Sequence, residues 1–172
     1  MKNLSKGSDS MEKVLKKVQD SKFFSVALRL LSHLVTVLSV AAFAYLAIIS
    51  AKSSVMGLLE LCIILGVPFL AVSALRRVIN APRPYELYGF YAEPPKKKRG
   101  CSFPSRHAYS VFAIGTAACL ASPVLGAVLL IFGVLLCTAR VLLGIHFIRD
   151  VLAGAVIGAT ATLLGKFIFS LA

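Results

Sequence analysis

Residues 108–139 read AYSVFAIGTAACLASPVLGAVLLIFGVLLCTA, with no charged side chain anywhere in the run. About 20 helical residues cross a hydrocarbon core of ~30 Å, so this stretch has room for two spans. Ser122-Pro123 divides them as a tight turn. Working outward, Leu30 to Ala51 carries no charge, Ser53 to Leu75 carries only Glu60, and Val151 to Ala172 carries only Lys166. The pattern predicts spans at 25–50, 55–75, 105–122, 124–143 and 148–170. The fold class is therefore all-α: a polytopic membrane helix bundle of about five transmembrane helices. Composition agrees, since 58% of the 172 residues are hydrophobic and 15% are charged. Soluble domains carry about 45–50% and about 25%. A disordered chain, a small disulfide scaffold and most soluble enzymes are excluded.

Residues 1–22 form a separate polar segment, and 23–172 form one membrane domain. Asp9 and Glu12 have the spacing of a helix N-cap pair. Met11, Val14, Leu15 and Val18 then fall on one face, with Lys13, Lys16 and Lys17 elsewhere on the wheel. This predicts a short amphipathic helix lying on the membrane surface. The first hydrophobic run begins only near Phe23, so no cleavable signal peptide is expected. Gly154 and Gly158 make a GxxxG pair in the last span, which lets helix backbones approach closely in lipid. Cys62, Cys101, Cys119 and Cys137 show neither a CxxC pair nor metal-ligand spacing, and read as small packing residues.

The net charge of +12 sits between the hydrophobic blocks. Nothing resembles a stacking surface or a recognition helix, so nucleic acid is not an expected partner. Five spans put the N-terminus, the polar loop 76–104 and the 144–147 turn on one side. That side holds six Lys/Arg in residues 1–22, eight from Arg76 to Arg106, and Arg140 and Arg149; the other holds Lys52 and Lys166. The positive-inside rule places the charged side in the cytoplasm of a cell-membrane protein.

That side also holds the reactive groups. His107 opens one span and His146 precedes another, four residues before Asp150, the only carboxylate after Ala108. On a helix the pair shares a face, and a carboxylate would fix the imidazole tautomer and raise its basicity. Arg76, Arg83, Arg106 and Arg140 project from the same side. Several guanidinium forks around one point suit a phosphate dianion and its more highly charged transition state. Arg77 and Arg149 read as markers of span ends. His33 and Glu60 read as interfacial, and Tyr85, Tyr88 and Tyr91 as aromatics near an entrance.

Arg76-x6-Arg83-Pro84, Pro104-Ser105-Arg106-His107 and Arg140-x5-His146-x3-Asp150 resemble the three-part signature of the type-2 phosphatidic acid phosphatase and vanadium haloperoxidase superfamily. That signature is written K-x6-R-P, P-S-G-H and S-R-x5-H-x3-D. The resemblance covers residues 76–150 and implies a metal-independent phosphatase working through a phosphohistidine. His146 would attack phosphorus, Asp150 would orient its ring, and His107 would protonate the leaving alkoxide and then activate water. Arg76, Arg83, Arg140 and Ser105 would bind the phosphoryl oxygens, with Arg106 as a further candidate. No cofactor or metal is implied, and the single carboxylate of the C-terminal half is too few for a two-metal site.

Three positions depart from the signature: Arg76 stands for lysine, Arg106 for glycine and Ala139 for serine. Arg106 would either add a phosphate contact or crowd the pocket. The implied substrate is a lipid phosphate in the bilayer: phosphatidate, phosphatidylglycerophosphate, a polyprenyl phosphate or pyrophosphate, or a phosphorylated polyprenyl sugar. A cytoplasmic site would count against recycling of an externally released undecaprenyl pyrophosphate. The alternative is a non-catalytic protein that binds such headgroups, with Arg106 spoiling turnover. A transporter has little support, because the spans carry no charge relay.

Overall fold

The structure, a computed structural model, describes residues 12–171 apart from 14, 19 and 89–98. Residues 12, 13, 15–18 and 20 are helical and make up α1. They are followed by α2 (Lys22–Ser53), α3 (Val55–Ile79), α4 (Pro84–Tyr88), α5 (Arg106–Ala121), α6 (Pro123–Leu142) and α7 (Ile148–Ser170). The described residues contain no strand, so the chain is a polytopic helical membrane protein, as its hydrophobic blocks require.

Among the described residues, four stretches are long and apolar enough to cross a bilayer: α2, Val55–Tyr88 with α3 inside it, α6 and α7. The expected third span, 105–122, is met by α5 to within one residue at each end, and it is a short helix. α5 has 16 residues, or about 24 Å at 1.5 Å per residue. Ser105 stops it at one end, where its hydroxyl accepts from the Ala108 N–H, and Ser122 ends it at the other. This short helix is the axle of the bundle: it packs against α2, α3, α6 and α7.

Two interhelical seams explain how. In α2 the buried residues are Ser25, Leu28, Ser32, Val35, Ser39, Ala42 and Leu46. The alternating three- and four-residue spacing is a coiled-coil seam, here built largely from small side chains as lipid packing favours. Its opposite face, with Leu30, Leu34, Val37 and Ile48, points outward. The second seam joins α5 to α7 through the GxxxG pair. A Cβ at Gly154 would run into the Ser105 carbonyl oxygen, and one at Gly158 would come within 2.5 Å of the Tyr109 carbonyl oxygen. The glycines therefore serve close packing, as their spacing implied.

Turns between helices are equally economical. Ser54 ends α2 and caps α3, its Oγ accepting from the Gly57 N–H at 2.9 Å. Ser122 joins α5 to α6 without a side-chain cap: its N–H donates to the Ala118 carbonyl at the end of α5, and Pro123 takes the first helical position of α6.

The N-terminal segment corrects one expectation. Leu15 and Val18 are buried while Lys13, Lys16 and Lys17 are exposed, so the helix is amphipathic. Its apolar face is turned to protein, however, not laid on lipid: Val18 packs with Leu28, Ala139, Leu143 and Ile145. Burial against a preformed apolar surface offsets the ordering of so short a helix. The Asp9 cap, Met11, Val14, Tyr91 and the Lys96–Lys98 run lie outside the described residues. Glu60 has a partner that spacing could not reveal, since Lys166 Nζ lies 2.6 Å from its Oε1 and ties α3 to α7.

Candidate active site at the charged end of the bundle

The loop between α6 and α7 turns sharply at Gly144, whose φ is +69°. The Arg140 carbonyl accepts from the N–H groups of Ile145 and His146 at 3.1 and 3.3 Å, folding His146 back under the end of α6. Asp150 sits in the first turn of α7 and accepts from the Phe147 N–H at 3.0 Å. This is the carboxylate half of a capping box, in a place where the helix dipole favours negative charge. His146 and Asp150 are 2% and 0% exposed. Their facing atoms, Nδ1 and Oδ2, are 3.6 Å apart.

A third side chain fills the gap. Ser102 is wholly buried; its Oγ donates to Asp150 Oδ2 at 2.5 Å and lies 3.3 Å from His146 Nδ1. Sequence reasoning missed Ser102. It precedes the recognised Pro104–His107 block in a loop, where no periodicity marks an inward-facing residue. The backbone places it: the Ser102 N–H donates to the Ala81 carbonyl at 2.9 Å, and the Ser105 N–H to the Asp150 carbonyl at 2.9 Å.

Arg76 is the clamp on that loop. It is 5% exposed, and its two terminal nitrogens donate to the main-chain carbonyls of Pro104 and Cys101. The departure from lysine thus has a use, because a fork can hold two carbonyls at once and an ammonium cannot do so in one plane. Nη1 and Nη2 each keep a second N–H for another acceptor. Arg83 Nε donates to the Gly100 carbonyl at 3.0 Å, and its guanidinium lies over the Tyr85 ring at 5.9 Å. Glu86 accepts from the Gly100 N–H at 2.7 Å. Gly100 and Cys101 both have positive φ, +70° and +53°, and these bonds from Arg83, Glu86 and Arg76 hold that bend.

The structure gathers most of the expected residues at one end of the bundle. Arg83 and Arg106 lie within electrostatic reach of Arg76, and Arg83 and Arg76 within reach of His146. Ser105 is buried beside them and Arg140 is 7% exposed in the last turn of α6. Arg149, read as a span-end marker, brings its Nε to 3.6 Å from Asp150 Oδ1 and stacks over Phe147 at 5.2 Å. Arg106 is exposed, so it does not fill the interior as a bulky replacement for glycine could. Tyr85 is buried and Tyr88 half-buried. Tyr88 meets the Phe147 ring edge-on at 6.5 Å.

His107 lies on the first turn of α5 and is half-buried. With Arg106 it heads a groove of about 380 Å³ whose walls are Val40 and Phe43 of α2 and Phe69 of α3. Ser110 and Ile114 form its floor and are shared with a second hollow reaching down to Cys62 and Leu65. The cleft thus runs from an imidazole and a guanidinium into the apolar middle of the bundle. Among the described residues no group of three His, Cys, Asp or Glu could hold a metal ion.

The electrostatics of His146 reverse one expectation. Burial pushes the ring down to about 4; Asp150 opposes this, and the cations of Arg83 and Arg76 add to it. The raised basicity expected from a carboxylate partner is outweighed by desolvation. His146 is therefore neutral at physiological pH. Between pH 6.5 and about 4 the unfolded chain binds a proton here that the folded chain refuses, so stability falls as pH drops through that window. A His146→Gln variant is expected to flatten that part of the stability–pH curve in detergent; an unchanged curve would contradict the assignment.

Comparison with known proteins identifies the fold and the family. None of the curated protein sequences compared with the chain matches it. Among solved structures, a transmembrane PAP2-type phosphatidylglycerolphosphate phosphatase from Bacillus subtilis superposes with a TM-score of 0.67. It shares 20% identity, over 99% of this chain and 88% of that one. LpxE from Aquifex aeolicus superposes with a TM-score of 0.69 at 21% identity, over 90% of this chain and 93% of that one. These show the same fold. A family model, the PAP2 superfamily, matches residues 57–170, a span that takes in all three sequence blocks and the helices that carry them. The chain belongs to the PAP2 superfamily.

Proposed function

We propose that this protein is an integral-membrane lipid phosphatase that releases phosphate from a lipid monoester or pyrophosphate through a phosphohistidine at His146. The observation that carries this reading is the buried, neutral imidazole, held by a carboxylate and a hydroxyl within reach of the Arg76 and Arg83 cations. A neutral ring has the lone pair that attack on phosphorus needs. In the first step Nε2 of His146 bonds to phosphorus as the P–O bond to the lipid alcohol breaks. His107 gives its proton to the departing oxygen. In the second, His107 takes a proton from water, the resulting oxygen bonds to phosphorus, and the N–P bond breaks. Asp150 balances the positive charge that His146 carries in between. Arg76, Arg83, Arg140, Ser105 and Arg106 bind the phosphoryl oxygens, and the transition state gains more from them than the ground state does.

The apolar cleft below His107 favours a substrate with a hydrocarbon tail over a soluble phosphate ester. The B. subtilis structural neighbour is a phosphatase of phosphatidylglycerolphosphate; that lipid, phosphatidate and polyprenyl phosphates or pyrophosphates form the candidate class. The site faces the cytoplasm on this reading, because the exposed lysines of α1 flank the same end of the bundle.

The test is phosphate release by purified protein in detergent across those lipids, with and without EDTA. Release from at least one lipid, unchanged by EDTA and blocked by vanadate, is the expected result. Tight headgroup binding without release or vanadate sensitivity would favour the non-catalytic alternative.

A further inference from the structure

A third side chain lies between Asp150 and His146. Their facing atoms are 3.6 Å apart, longer than a good hydrogen bond, while Ser102 Oγ lies 2.5 Å from the carboxylate and 3.3 Å from the ring nitrogen. We propose that Ser102 is a positioning residue: its hydroxyl relays the orienting effect of Asp150 to His146 and fixes which ring nitrogen is free to react. The inference rests on His146 being the nucleophile.

The argument is one of proton counting. A hydroxyl has one proton, and an ionised carboxylate can only accept. Ser102 therefore spends its proton on Asp150 and can only accept from His146. The neutral ring must then carry its hydrogen on Nδ1, which leaves the lone pair on Nε2. When Nε2 bonds to phosphorus the ring becomes cationic, and the chain Nδ1–H···Oγ–H···Oδ2 shortens against a full positive charge. No proton needs to leave the ring. The relay also explains why the loop is so firmly held: Arg76 grips the carbonyls of Cys101 and Pro104 on either side of Ser102. The Phe147 N–H keeps Asp150 Oδ2 in line for the same hydroxyl.

Removing a group that orients a reactive histidine lowers activity about 10–100-fold where such partners have been replaced around metal-bound rings. Ser102→Ala is expected to lower kcat by a similar factor with KM little changed, because substrate binding does not use this hydroxyl. Ser102→Thr, which keeps the oxygen, should recover much of the loss. Nitrogen-15 NMR of labelled histidine in detergent, with the His146 signal identified by its disappearance in His146→Ala, reads the tautomer directly. Wild type should show a single neutral form protonated at Nδ1, and Ser102→Ala a mixture. If the alanine variant does not fold, Ser102→Cys replaces it, and a partial drop in kcat with a mixed tautomer is expected. An unchanged tautomer or unchanged kcat in the folded variant would overturn the relay. A wild type that releases no phosphate from any lipid would instead remove the enzyme reading, while the tautomer measurement would still decide the part played by Ser102.

Discussion

His146→Ala is expected to abolish phosphate release while leaving the bundle intact. In the proposed mechanism His146 makes the only bond from protein to phosphorus, so its loss would stop the double displacement. In a serine protease, removal of the nucleophile or its histidine base lowers kcat by about 10⁶; a fall of at least ~10⁴ is the expected scale here. The variant should still fold, because alanine leaves Arg140 and Gly144 to shape the loop through their backbones. Asp150 and Ser102 keep each other as partners. Phosphate release is measured against a thermal or SDS unfolding curve on the same preparation. A folded variant with wild-type rates would remove His146 from the chemistry.

The second large effect concerns stability. Gly154→Ala and Gly158→Ala each insert a methyl group where the opposing atoms belong to the backbone of α5: the carbonyl oxygens of Ser105 and Tyr109. A backbone cannot step aside as the tip of a long side chain can, so α5 and α7 must separate. Overpacking of this kind costs about 1–3 kcal/mol, and occasionally more, and each variant is expected at or above the upper end. Gly66 is the control. Nothing lies within 4 Å of a Cβ added there, and alanine is the better helix former. Gly154→Ala should also impair activity more than its stability loss explains, because the Ser105 carbonyl it displaces belongs to the residue whose N–H holds the Asp150 backbone. Unfolding midpoints in detergent and activity per folded molecule decide both points. Wild-type values for Gly154→Ala and Gly158→Ala would refute the close seam.

The hydrophobic blocks gave helix positions within a few residues because lipid imposes a strong pattern: an uncharged run must be paired with itself as helix. Ser122-Pro123 marked the end of α5 to within a residue. The same logic could not show that α5 is the axle, because composition does not distinguish a buried axle from a lipid-facing span. The face of α1 was legible in Leu15 and Val18, but its partner was not, since an apolar stripe fits lipid and protein equally well. Within the site, His146 and Asp150 stood out by spacing, Arg76, Arg83, Arg106, Arg140 and His107 by their clustering at span ends on one side, and Ser105 only through the family resemblance. Ser102 did not, because a loop serine is commonplace until the fold shows that it faces a carboxylate. The basicity of His146 was misread for a related reason: the carboxylate partner is visible in sequence, whereas the depth of burial that outweighs it is a property of the whole bundle.

The identity of the phosphorylated atom tests the account most directly. Rapid acid-free quenching with a phosphorus-32-labelled lipid substrate, followed by peptide mass spectrometry under alkaline conditions, would capture the covalent species. The account expects label on the peptide holding His146, bonded at Nε2, appearing and decaying at rates compatible with turnover. Label on His107 or another residue, or turnover with no phosphoenzyme at any time, would contradict it.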